Sequence, residues 1–110
     1  MTTNEALLDE FGDALWLEDG LSRNTLESYR RDLRLFSAWL AADRGKTLLQ
    51  AQRMDLLDYL AYKFQRKARP RSAARLLSSL KRFYRHLLRE NKIQADPTLQ
   101  VDSPKLPRSL

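Results

Sequence analysis

From Arg71 to Asn91 the chain runs RSAARLLSSLKRFYRHLLREN, with apolar residues recurring every three to four positions. On a wheel of about 100° per residue, Ala73, Leu76, Leu77, Leu80, Phe83, Tyr84, Leu87 and Leu88 gather on one side, while Arg71, Arg75, Arg82 and Arg89 line the other. That pattern predicts a long amphipathic helix. Pro70 holds Arg69 out of helical geometry, and Ser72 is the expected cap.

Three earlier segments share the period. The first spans about Asn4 to Leu17, with Leu7, Leu8, Phe11, Ala14 and Leu15 at helical spacing, and EDG closes it at Gly20. The second opens at NTLE, where Asn24 can cap and Glu27 completes a capping box, and runs through Trp39 to DRG. Leu26, Tyr29, Leu33, Phe36 and Leu40 form its inner stripe. Leu35 and Trp39 fall outside that stripe, which predicts a central helix buried on two sides. The third spans Arg53 to Arg66 and is expected to pack through Met54, Leu57, Leu60, Ala61 and Phe64. Together these predict an all-α, four-helix unit over residues 1–95. From ADPTLQVDSPKLPRSL the periodicity stops and prolines recur at 97, 104 and 107. Residues 96–110 are therefore expected to be an extended linker leading to a further domain.

Composition narrows the chemistry. A chain of 110 residues supports one modest core. Without cysteine it has no disulfide and no thiolate ligand or nucleophile, and the single His86 cannot furnish a metal cluster. No run of about 18 apolar residues is present, and MTTNEALLDEFG lacks a basic and apolar leader. The expectation is a cytoplasmic protein with no cofactor, no membrane association and no small-molecule ligand.

Net charge is +6, and its placement matters more than its sum. Residues 1–22 carry six acids and no basic side chain, whereas residues 63–92 carry eleven bases and one acid, Glu90. This predicts a basic face turned to something anionic and an acidic end turned elsewhere. A solvated face normally mixes signs, but no acid lies between Arg66 and Arg89. Arginine forks bind phosphates and guanine edges, and the small Ser78 and Ser79 would let the helix approach a groove. Arg75 to Arg89 covers about 21 Å of helix, enough to follow several phosphates. Nucleic acid is the expected partner.

Arg30, Arg31 and Arg34 flank the buried stripe of the second segment, and SRNT supplies Arg23, Asn24 and Thr25 at its start. A helix N-terminus with free N–H groups attracts phosphate, and Ser22 or Asn24 can cap the helix there as well. Tyr29, Phe36, Phe64, Phe83 and Tyr84 occupy apolar positions and are expected in the core; Tyr59 and Tyr62 could be exposed. His86 falls on the polar side near Arg82 and Arg89, Asp55 and Asp58 suit a helix N-terminus, and Arg44, after the second helix near Gly45, is expected to contribute little to DNA binding. No acid/base pair, phosphate loop or triad can be assembled.

Three stretches, ALWLEDGLSRNTLESYRRDLRLFSAWL, ARLLSSLKRFYRHLLREN and DPTLQVDSPKLPRSL, resemble the N-terminal core-binding domain of bacterial tyrosine recombinases of the phage-integrase family, most closely its XerD-type branch. The Asn-Thr-Leu and Tyr-Arg-Arg-Asp-Leu patterns fall at Asn24–Leu26 and Tyr29–Leu33; the Arg-x-Leu-Ser-x-Leu-x-x-Phe-Tyr pattern falls at Arg75–Tyr84 with one residue of extra spacing. The resemblance implies a SAM-like orthogonal bundle of two crossed helix pairs that clamps one face of a double-stranded DNA half-site. Its second and fourth helices would face the major groove. The implied contacts are Arg23, Asn24, Thr25, Arg30, Arg31, Arg34, Arg71, Ser72, Arg75, Ser78, Ser79, Arg82, Arg85 and Arg89. It also implies catalysis in a separate domain, with no catalytic residue here, and a partner recombinase of the XerC type in a DNA-bound tetramer. The whole protein would resolve chromosome dimers at cell division. A helical transcription regulator would use a similar basic helix but would need a dimer interface. A protein-binding adapter would need an exposed apolar patch.

Overall fold

A computed structural model describes residues 3–67, 69–99 and 101. Four helices form, α1 (Asn4–Ala14), α2 (Arg23–Arg44), α3 (Arg53–Gln65) and α4 (Pro70–Arg89), and no strand occurs among the described residues. α2 packs against each of the other three. That central position follows from its Leu33, Phe36 and Leu40, which are fully buried.

The chain ends its helices by the means its sequence offers, though not always at the expected residue. Ser22, rather than Asn24, caps α2: its hydroxyl accepts from the Thr25 amide at 3.2 Å. Gly45 closes α2 in the left-handed conformation at φ 64°, where a side chain would be strained. Ser72 does not cap α4 either; Arg69 is the extended residue before it and Pro70 takes the first helical position, where its missing N–H costs nothing. α1 continues into one wide π-helical turn, Leu15–Asp19, before Gly20 reverses the chain at φ 60°.

One core joins Leu7, Leu8 and Phe11 of α1, the α2 stripe, Leu56 and Tyr59 of α3, and Leu76, Leu80, Phe83, Tyr84 and Leu87 of α4. Phe11 meets Phe83 edge-to-face at 5.3 Å between centroids. Tyr84 is buried and donates its hydroxyl to the Leu48 carbonyl at 2.8 Å, which fixes the short 3₁₀ turn Leu48–Gln50 onto α4.

Several expectations about faces change. α3 packs through Asp55, Leu56, Tyr59 and Leu60, while Met54, Ala61 and Phe64 are exposed. Leu35 and Leu88 are also exposed, so α2 is buried on its second side only through Trp39, which packs partly against the core. The stretch expected to be extended from residue 96 begins packed: Thr98 and Val101 are buried, with Asp96 accepting from the Thr98 amide at 2.8 Å. Residue 100 and residues 102–110 of that segment lie outside the described residues.

Candidate nucleic-acid interface

The arginines of α4 form two stripes rather than one. Positions seven apart stay within about 20° of each other on a helix, so Arg71, Ser78 and Arg85 make one row and Arg75, Arg82 and Arg89 make another beside it. The first row is exposed throughout, and its two arginines have no acidic partner among the described residues. Each member of the second row is paired: Arg75 with Asp32 at 2.9 Å, Arg82 with Asp19 at 2.9 Å and Arg89 with Glu18 at 2.8 Å.

The acidic end is therefore not turned elsewhere. Glu18 and Asp19 sit in the π-helical turn and reach α4, while Glu5 and Asp9 of α1 pair with Arg30, and Glu5 with Arg34, of α2. Hydrogen bonding from Arg34 and Arg30 holds the Glu5 carboxyl below its usual range. Half of the arginine field is thus already countered within the molecule, in a form that water and salt compete with.

α2 presents its bases in two directions. Arg30 and Arg34 turn to α1; Arg31 is exposed and lines a shallow groove of about 270 Å³ with Lys63 of α3 and with Arg69, Ser72 and Arg75. Lys63 and Arg69 were not among the residues implied by the sequence, although both belong to the run of eleven bases. Arg23 and Asn24 are exposed at the start of α2, and the Thr25 hydroxyl lies 3.0 Å from that of Ser22. Ser79 is withdrawn from the interface: it is fully buried and donates to the Leu76 carbonyl at 2.7 Å.

His86 lines a pocket with Arg82 and Arg89, as expected, but turns part of its ring inward. It is half-buried with its ring 5.7 Å from that of Phe11, and its Nδ1 is buried without a partner. Burial holds its pKa below 6.5. Arg44 serves the scaffold: it bonds Asp43, Asp55 and Asp58 and lies over the Trp39 ring at 5.1 Å. Asp55 is buried, accepts from the Gln52 amide and from Lys46, and is held below its usual range because these partners outweigh its desolvation.

Two of the four tyrosines have hydroxyls unsuited to nucleophilic attack, and Tyr29, expected in the core, is only half-buried against it. Tyr59 is buried, not exposed, and burial pushes its hydroxyl up to about 12; Tyr84 is pushed higher still by burial. Tyr62 accepts from Arg66 at 3.1 Å on α3. Among the described residues no group of three metal-ligating side chains occurs, and no helix is long and apolar enough to cross a membrane.

Residues 8–91 match the family described as phage integrase, N-terminal SAM-like domain. The chain belongs to that family. This SAM-like domain is 52% identical over 104 residues to tyrosine recombinase XerD of Pseudomonas putida, covering 94% of the chain and 35% of that protein. It is 50% identical over 109 residues to tyrosine recombinase XerD of Pseudomonas aeruginosa, covering 99% of the chain and 36% of the relative. With XerD of Shewanella oneidensis the identity is 46% over 106 residues, covering 96% and 35%. The SAM-like domain thus spans about a third of the length of these curated relatives.

Proposed function

We propose that this chain is the core-binding part of a site-specific tyrosine recombinase, gripping one face of a double-stranded DNA half-site through α4 and the start of α2. The observation that carries this reading is the exposed row Arg71, Ser78 and Arg85, which has no acidic partner among the described residues, together with the groove that Arg75 of the neighbouring row lines with Arg31, Lys63 and Arg69. Strand cleavage belongs to another domain of the whole protein; here Tyr59 and Tyr84 are buried, and that burial pushes their hydroxyls up. In the whole protein the domain acts in the cytoplasm, beside a partner recombinase of the XerC type in a DNA-bound tetramer that resolves chromosome dimers at division.

A salt titration tests the DNA reading. Each phosphate neutralised contributes about −0.9 to the slope of log K against log salt, so Arg23, Arg31, Arg71 and Arg85 together predict a slope of about −3.6. The complex with a recombination half-site is expected to outlast that with scrambled DNA as salt rises. A slope near zero on both would overturn the reading. A nicked substrate that traps covalent complexes is expected to retain the chain without forming an adduct.

A further inference from the structure

Arg75 is held unlike the other paired arginines of α4. Its Nε and Nη2 both donate to one carboxylate, Asp32 of α2, at 2.9 and 3.0 Å. Arg82 and Arg89 each use a single nitrogen on a carboxylate of the π-helical turn. The acceptors differ more: the Asp32 side chain is 9% exposed, against 45% for Asp19 and 52% for Glu18. An arginine can leave an exposed carboxylate at little cost because water replaces it. It cannot readily leave a buried one, because the anion would remain without compensation.

We propose that Asp32 is a positioning residue for DNA recognition, holding the Arg75 guanidinium at a fixed place and angle on the DNA-facing side of α4. The inference rests on the reading of α4 as a DNA-contacting helix. A guanidinium has five N–H groups in a rigid plane. Two go to Asp32, and three, on Nη1 and Nη2, remain unbonded among the described residues. Those three include the end-on pair that matches the O6 and N7 acceptors of guanine or two phosphate oxygens. Arg75 also lines the groove with Arg31, Lys63, Arg69 and Ser72, and its side chain is 40% exposed, so the guanidinium lies at the molecule's surface and not in its core. Ordering a long side chain before the partner arrives lowers the entropy cost of binding. Arg75 thereby becomes a directional reader, whereas Arg82 and Arg89 can follow a phosphate wherever it lies.

The test uses the duplex that the wild-type chain enriches from a randomised pool, and compares its affinity with that for scrambled duplex. Asp32→Asn removes an acid, so a purely electrostatic role would tighten binding to both duplexes alike. A positioning role predicts the opposite split: affinity for scrambled DNA is kept or rises, while discrimination falls about 5- to 150-fold, the range that one bidentate base contact supplies. Arg75→Lys keeps the charge and loses the fork, so it is expected to lose the same discrimination; the double variant is expected to lose no more than either single one. A folded Asp32→Asn protein with wild-type discrimination overturns the proposal. If that variant does not fold, retained discrimination in Arg75→Lys overturns it. If the wild type enriches no duplex at all, the DNA reading itself fails and the proposal fails with it.

Discussion

Releasing Arg82 and Arg89 from their intramolecular partners should tighten binding to DNA. In the free domain Arg82 Nη1 lies 2.9 Å from Asp19 and Arg89 Nη2 lies 2.8 Å from Glu18, with all four side chains substantially exposed. Exposed pairs of this kind stabilise by about 0.2–1 kcal/mol each, and that stabilisation is forfeited when the arginine turns to a phosphate. Replacing both acids, as Glu18→Gln with Asp19→Asn, removes the competition, worth about 0.4–2 kcal/mol in all, or a gain of about 2- to 30-fold in affinity. Two arginines no longer exchanging one anion for another should also steepen the salt slope by up to about 1.8. Fluorescence anisotropy with a labelled duplex, repeated over a salt series, reads both quantities. Asp13→Asn is the control: it changes net charge in the same direction, but Asp13 has no ion-pair partner among the described residues. The reasoning is refuted if the double variant binds no tighter than wild type, or if Asp13→Asn produces as large a gain per charge.

Other consequences concern the scaffold. Tyr84→Phe removes the shorter of two hydrogen bonds to the Leu48 carbonyl, leaving the Ala51 amide at 3.4 Å, which should cost about 0.5–1.5 kcal/mol of stability in a denaturant titration, with DNA affinity unchanged in the folded population. Arg44→Ala should lower the melting temperature more than Arg85→Ala, because Arg44 joins the end of α2 to Asp55 and Asp58 of α3 and covers Trp39; Arg85→Ala should instead weaken DNA binding. Burial depresses the His86 pKa in the folded chain, so the unfolded chain takes up that proton first. Stability should therefore fall as pH drops below about 6.5 and level off beneath the lower folded value, and His86→Gln should flatten that part of a pH-dependent melting profile.

The fold was legible wherever one side of a helix is clearly apolar. α4 separates its leucines and aromatics from its arginines, so its inner face was identifiable except for the exposed Leu88. α3 was not: MDLLDYLAYKF carries apolar residues almost all the way round, and the face that packs is chosen by the buried Asp55 and Tyr59, through partners on other elements. Ser79 was misread because a hydroxyl that donates back to its own helix presents little polar surface to a core. The candidate site was half legible. Composition marked α4 as basic, but the partition into a free row and a paired row depends on Glu18, Asp19 and Asp32, which lie 43 to 71 residues away along the chain. Contacts over such separations leave no local pattern. The same holds for Val101, a lone apolar residue among polar ones whose burial comes from the tertiary fold.

The central claim is that the free row of α4 and the start of α2 form the DNA-facing surface. Titrating the isotope-labelled chain with a duplex and following backbone amide and arginine side-chain resonances tests it most directly. The account predicts the largest shifts at Arg71, Arg75, Ser78 and Arg85 and at Arg23, Asn24 and Arg31, with Arg44, Tyr62 and Phe64 unchanged. Shifts concentrated on Arg44, Tyr62 and Phe64, with the α4 row silent, would contradict it.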